Sequence, residues 1–263
     1  MSENQQEKMG RMRMAVAGAT GTAGHHVVEV ARERGHDVVP LTRSTGVDLT
    51  TGAGLAERLA DVDVVIDVAN ANVQQQEAAE EFFGSVTRTL LAAERSAGVG
   101  HHVALSIIGI DDVPWGYYQG KRLQERLIVE GDRPWSLLRA AQFHEFAELA
   151  LGYVRIGPVS VVPRMTSQPV AAREVAEALV ALAEQGPSGR VPDLAGPEVL
   201  PMHELARQVS RARGLGRRVL PVPLPGAAGR GMRDGSLTAQ GDPAARLGRL
   251  TFDRWLAAGA GGR

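Results

Sequence analysis

The chain has 263 residues, 44% hydrophobic and 22% charged, with a formal net charge of −1 and no cysteine. This supports one large α/β domain, alone or with a small lobe. It gives no reason to expect nucleic acid or an anionic membrane as partner, and it excludes disulfides, thiolate catalysis and Cys-based zinc sites. No apolar run approaches the roughly 20 residues of a membrane span. The polar start "MSENQQEKMGRMRM" lacks the apolar core of a secretory signal, so a cytoplasmic protein is expected.

In chain order, residues 1–11 read as a disordered lead and 12–263 as a single domain. "RMAVAGA" reads as a buried strand. Thr22 to Arg34 follows as a helix closed by Gly35. "HDVVPLTR" and "DVDVVIDVA" (Asp61 to Ala69) are the second and third strands. Gln74 to Ala97 is a long helix and "HHVALSI" a fourth strand. Tyr117 to Glu130 is a helix and "PWSLLRAA" a fifth strand. The strands are continuous apolar runs, as a parallel sheet covered on both faces requires, and strand–helix alternation predicts a doubly wound α/β sheet, a Rossmann fold.

Beyond about Gln142 the rhythm loosens, which predicts a small C-terminal substrate cap drawn mainly from about 142–263. "VRIGPVSVVP" reads there as an edge strand and "REVAEALVALAEQ" as a helix. "RVPDLAGPEVLPMHELARQVSRARG" reads as strand, turn and helix, and "RRVLPVPLPG" as an extended segment. "TFDRWLAAGAGGR" reads as a short helix with a floppy glycine-rich end. No internal repeat is visible.

"GATGTAG" places Gly18, Gly21 and Gly24 three residues apart between the first strand and the first helix. Glycines here allow a tight turn and let backbone approach a pyrophosphate, while the helix N-terminus offers free N–H groups. The cradle would be Gly18, Thr20, Gly21, Thr22, Ala23 and Gly24. About 20 residues on, where an acidic residue would bond the ribose of NAD, stand Leu41, Thr42, Arg43 and Ser44. Arg43 and Ser44 suit a 2′-phosphate, so NADP(H) is expected over NAD(H).

These residues resemble the atypical short-chain dehydrogenase/reductases, specifically the NmrA-like, NAD(P)H-binding group. "STGVDLTTGAGL" is similar to that group's adenine-side segment, with Asp48 and Leu49 flanking the base. "DVAN" is similar to the segment under the adenine ribose and brings Ala69 and Asn70. "LSIIGIDDVPWGYYQGKRLQERL" is similar to the active-site stretch, and "WSLLRAAQFHEF" to the strand end facing the nicotinamide, which brings Ala141. "AGPEVLPMHELA" and "TFDRWLA" are similar to the usual cap.

Tyr117 and Lys121 form YxxxK, which on a helix puts both side chains on one face, where an ammonium lowers a phenol's pKa. The resemblance implies that Tyr117 donates a proton, Lys121 tunes it and bonds the nicotinamide ribose, and Ser106 orients a substrate carbonyl. Tyr118 is a second candidate. Trp115, Gln142, Phe143 and His144 are expected to line the substrate pocket.

The tandem pairs His25–His26 and His101–His102 point apart and chelate poorly, so they read as structural and no metal is expected. The expected activity is NADPH-dependent reduction of a small carbonyl or quinone-type substrate. Two alternatives stand beside it: a non-catalytic NADP(H) sensor that acts through a protein partner, and an NAD(P)-dependent epimerase or isomerase.

Overall fold

The computed structural model describes residues 10–260, so most of the expected lead and most of the glycine-rich end lie outside the described residues. The centre is a parallel sheet. Its strands are β1 (Arg13–Ala17), β2 (Asp37–Leu41), β3 (Val64–Asp67), β4 (His101–Ile107) and β5 (Trp135–Ala140). They lie in the order β2-β1-β3-β4-β5. The edge beside β5 is extended by the short strands β9 (Gly189–Arg190) and β10 (Leu194–Ala195), and β13 (Arg246–Leu247) pairs with β10. All of these pairings are parallel. The strand order reverses between β1 and β3, the switch point where ligands bind outside the carboxyl ends of such sheets.

Helices cover both faces. One face carries α1 (Thr22–Glu33) and α6 (Ala172–Gln185), which pack together over Met14, Val16, Val64, Ile66 and Val103. Packing holds α6 in place. Val175, Leu179, Val180 and Leu182 are buried, each worth about 1.5–3 kcal/mol, which outweighs the roughly 1 kcal/mol forgone by having no side-chain N-cap. The other face carries α2 (Leu55–Arg58), α3 (Gln76–Ala97) and α4 (Gly116–Val129). Gly120 lets α4 lie directly on α3, since a Cβ there would stand 2.6 Å from the Ala79 carbonyl oxygen.

The cap packs around Ala147, Leu151, Val162, Met202, Leu205, Val209, Phe252 and Leu256, a cluster it shares with Ile110, Val113 and Tyr118 of the central domain. It contains α5 (Phe146–Tyr153), α7 (Met202–Ala212), α8 (Gly226–Arg233) and α9 (Phe252–Ala260). It also holds β6 (Val154–Ile156), β7 (Val159–Pro163) and β12 (Arg218–Val222), which form a three-stranded sheet, and β8 (Thr166–Ser167), which pairs with β11 (Leu200–Pro201). Within 142–263, α6, β9, β10 and β13 serve the central layers instead.

Two strand expectations are corrected. "HDVVPLTR" stops at Leu41, because Thr45 Oγ1 bonds Thr42 and Pro40 and folds Arg43–Thr45 into a single 3-10 turn. "VRIGPVSVVP" is a hairpin of β6 and β7 rather than one strand, because the chain reverses at Gly157, φ +54°.

Candidate active site

The glycine loop is built by close approach. Gly18 has φ +79°, and a Cβ on it would stand 2.7 Å from the Val68 carbonyl oxygen and 2.8 Å from Ala69 Cα. A Cβ on Gly24 would stand 2.0 Å from the Gly18 carbonyl oxygen. The Gly21 N–H donates to that same oxygen at 2.9 Å. Gly21 heads α1 with no side-chain cap and no acidic residue in the first turn, while Thr20 is exposed, Thr22 half-buried and Ala23 buried. Free N–H groups at the positive end of a helix dipole, reached past bare glycine, fit a pyrophosphate.

The edge beside β2 carries the expected adenosine residues. Arg43 and Ser44 are exposed in the 3-10 turn, and the Ser44 hydroxyl lies 2.8 Å from that of Thr42. Asp48 is occupied locally. Its Oδ1 accepts from the Thr50 amide at 2.8 Å and the Thr50 hydroxyl at 2.6 Å, which hold the carboxyl below its ordinary pKa. Leu49 is half-buried, and its carbonyl accepts from the Thr89 hydroxyl.

Tyr117 begins α4 beside the end of β3. Its hydroxyl donates to Asn70 Oδ1 at 2.8 Å, and its ring meets Phe83 and Tyr118 edge-on, with centroids 5.5 Å and 5.9 Å away. Asn70 directly follows the Val68–Ala69 segment that Gly18 approaches, so the loop and the phenol both contact the stretch Val68–Asn70. Lys121 lies one turn on but is 4% exposed. Its Nζ donates to the Leu105 carbonyl at 2.7 Å and to Gln124 Oε1, and stands 4.8 Å from the centre of the Phe83 ring. Burial lowers its pKa to about 8, with Asp67 and Glu125 resisting.

The Lys121 ammonium bonds the Leu105 carbonyl and Gln124, whereas the Tyr117 hydroxyl bonds Asn70. Burial raises the Tyr117 pKa above the ordinary phenol value, and Tyr118 and Tyr153 push the same way. Tyr118 is buried and likewise raised, first by burial and then by Tyr153.

Ser106, near the end of β4, is 2% exposed and its hydroxyl has no partner. Gln142, just past β5, is 9% exposed and neither its amide nitrogen nor its oxygen makes a hydrogen bond. Ala141 is buried, with its N–H on the Leu194 carbonyl at 2.9 Å. Phe143 is half-buried. Trp115 is the N-cap residue of α4, and its indole N–H donates to Gln74 Oε1 at 3.0 Å. His144 is not brought to the site. It is fully buried between Phe252 and Trp255, with Nε2 3.1 Å from the Leu250 carbonyl oxygen.

His101 and His102 take opposite faces of β4. His101 meets the Ser136 hydroxyl at 2.9 Å, and burial lowers its pKa to about 4. His102 meets Glu94 at 2.8 Å. No group of three or more His, Cys, Asp or Glu suited to a metal occurs among the described residues.

Asp67, Gln124 and Phe83 were missed in the sequence. Only Asp67 gave a local signal, as an acid closing the apolar run "VVID".

A parallel doubly wound sheet, a bare-glycine cradle at its switch point and a phenol beside that cradle define a dinucleotide-binding Rossmann protein. A family model described as NAD(P)H-binding matches residues 18–186, and the chain belongs to that family. It is 28% identical to a dTDP-4-dehydrorhamnose reductase of Mycobacterium tuberculosis over 243 residues, covering 80% of this chain and 79% of that one. It is 26% identical over 147 residues to the photosystem II assembly factor Ycf39 of a Synechocystis species. That match covers 50% of this chain and 45% of the factor, so the chain matches less than half of that relative's length. Its fold is similar to the NADPH-dependent quinone oxidoreductase QOR2 of Escherichia coli, complexed with NADPH. The TM-score is 0.66 at 18% identity, over 93% of this chain and 99% of that one. Solved structures sharing the fold include NAD+ complexes as well. No helix among the described residues is long and apolar enough to cross a membrane.

Proposed function

We propose that the chain is an NADPH-dependent oxidoreductase that reduces a small carbonyl or quinone-type substrate, with Tyr117 as proton donor. One observation carries this reading: Gly18 lies against Val68–Ala69, and the next residue, Asn70, accepts the Tyr117 hydroxyl at 2.8 Å. Cofactor cradle and acid thus share three consecutive residues. Bound NADPH supplies the hydride.

A phenol held above its ordinary pKa stays protonated through the neutral range. It remains more acidic than an alcohol, so it can deliver its proton to a forming alkoxide. Ser106 and Gln142 bring unpaired polar groups to a substrate oxygen, and Trp115 and Phe143 supply apolar walls. Lys121 stays charged below about pH 8, with its ammonium held by the Leu105 carbonyl and Gln124. On the cofactor side, Arg43 and Ser44 face a 2′-phosphate, Asp48 and Leu49 the adenine, and Ala69, Asn70 and Ala141 the ribose and nicotinamide ends.

Replacing Tyr117 by Phe removes the acid and leaves the cradle intact. NADPH oxidation by a panel of quinones and ketones falls about 10²- to 10⁴-fold, and the dissociation constant for NADPH stays within about threefold. Full turnover in the variant removes Tyr117 as the acid. The enclosure of Lys121 by Leu105, Gln124 and Phe83 favours a second reading, an NADP(H) sensor. That reading predicts tight binding, different affinities for the two redox forms and no turnover by the unmodified protein.

A further inference from the structure

Three wholly buried polar side chains form a chain of hydrogen bonds from β3 to α4. Asp67 is 0% exposed, Gln124 1% and Lys121 4%. Asp67 Oδ1 accepts the Ala69 N–H at 2.9 Å, and Oδ2 accepts from Gln124 Nε2 at 2.8 Å. Gln124 Oε1 accepts from Lys121 Nζ, which also donates to the Leu105 carbonyl at 2.7 Å. The amide can be oriented only one way, because an ammonium offers no acceptor and Asp67 receives on both oxygens.

We propose that Asp67 and Gln124 are positioning residues of the reductase site, a carboxylate–amide relay that sets both the place and the charge of Lys121. The same relay fixes the backbone at Ala69 and so delivers Asn70 to the Tyr117 hydroxyl.

The composition supports a requirement for lysine itself at this position. Lys8 and Lys121 are the only lysines among 29 basic Lys and Arg residues. A compact ammonium whose charge can be tuned by burial is what arginine does not provide. Few groups compete for control of that charge. Glu125 and Tyr117 lie on the same helix, and α3 contributes the uncharged Phe83 ring. From β4 come the Leu105 carbonyl and, further along, His102, which is paired with Glu94 of α3. Asp67 is the carboxylate that reaches Lys121 from β3.

The assignment rests on the reductase reading for its catalytic consequence, so its test reads the lysine directly. In a Lys8→Arg background, lysine labelled with ¹³C at Cε gives one resonance, which titrates at about pH 8. Asp67→Asn removes the remote negative charge and moves the midpoint down by about one pH unit. Asp67→Asn combined with Gln124→Glu exchanges carboxylate and amide. Each hydrogen bond keeps a donor and an acceptor, and the negative charge now touches the ammonium. The midpoint then moves about one unit above that of the unmodified relay.

Midpoints equal in all folded variants overturn the proposal, as does a downward shift in the exchanged double variant. If Asp67→Asn alone fails to fold, the double variant decides, since each hydrogen bond of the relay keeps its donor and acceptor. The alkaline limb of kcat is expected to move in the same order. If the unmodified protein oxidises NADPH with no carbonyl or quinone, the reductase reading fails while the midpoints still decide the relay.

Discussion

Arg43 is the side chain on which cofactor choice turns. It stands exposed just after β2, where no acidic residue is present to bond a ribose hydroxyl. A charge-assisted hydrogen bond to phosphate is worth about 1.5–3 kcal/mol, roughly ten- to a hundredfold in affinity. Arg43→Ala is therefore expected to weaken NADPH by at least tenfold while changing NADH by less than about threefold, measured by calorimetry. Equal losses remove the 2′-phosphate argument. The glycines, Tyr117 and Lys121 were legible because each belongs to a local pattern with fixed spacing. Gln124 was not, because its meaning lies in a bond to Asp67, 57 residues away, and a contact between strand and helix leaves no periodic trace. YxxxK spacing places the ammonium on the right helix face, but the partners that hold it, the Leu105 carbonyl and Gln124, lie outside that pattern.

Between elements, Glu94 on α3 and His102 on β4 form a fully buried pair at 2.8 Å. Burial acts to lower the His102 pKa, but the charge and hydrogen bond of Glu94, with Asp67 beyond, outweigh it and the net shift is upward. The stabilisation is thus complete below about pH 6.5, the unfolded value, and is lost as pH rises through the raised folded value. Glu94→Gln leaves a buried imidazolium without its counter-charge and is expected to cost about 3–5 kcal/mol in urea denaturation at low pH, less as pH rises. A loss independent of pH contradicts the charged pair. That tandem histidines do not chelate was readable from strand alternation, whereas the partner of each was not. Element ends were misread where side chains rather than apolar runs stop a strand, as Thr45 does after β2.

Across the whole molecule, the continuous apolar strands were enough to read a parallel sheet, because that architecture is written in burial on both faces. The cap was readable only as looser rhythm. Its strands run two to five residues, and α6 returns to the central layers in the midst of it. The central claim concerns the molecule as a unit: the glycine loop, Asn70 and Tyr117 form one site for cofactor and substrate. A crystal structure with NADP+ tests this most directly. The account predicts the pyrophosphate on the N-terminus of α1 at Gly21, and the nicotinamide beside the Tyr117 hydroxyl with Ser106 and Gln142 facing the space above it. A cofactor bound on the loop whose nicotinamide lies away from Tyr117, or a crevice closed by cap side chains, contradicts it.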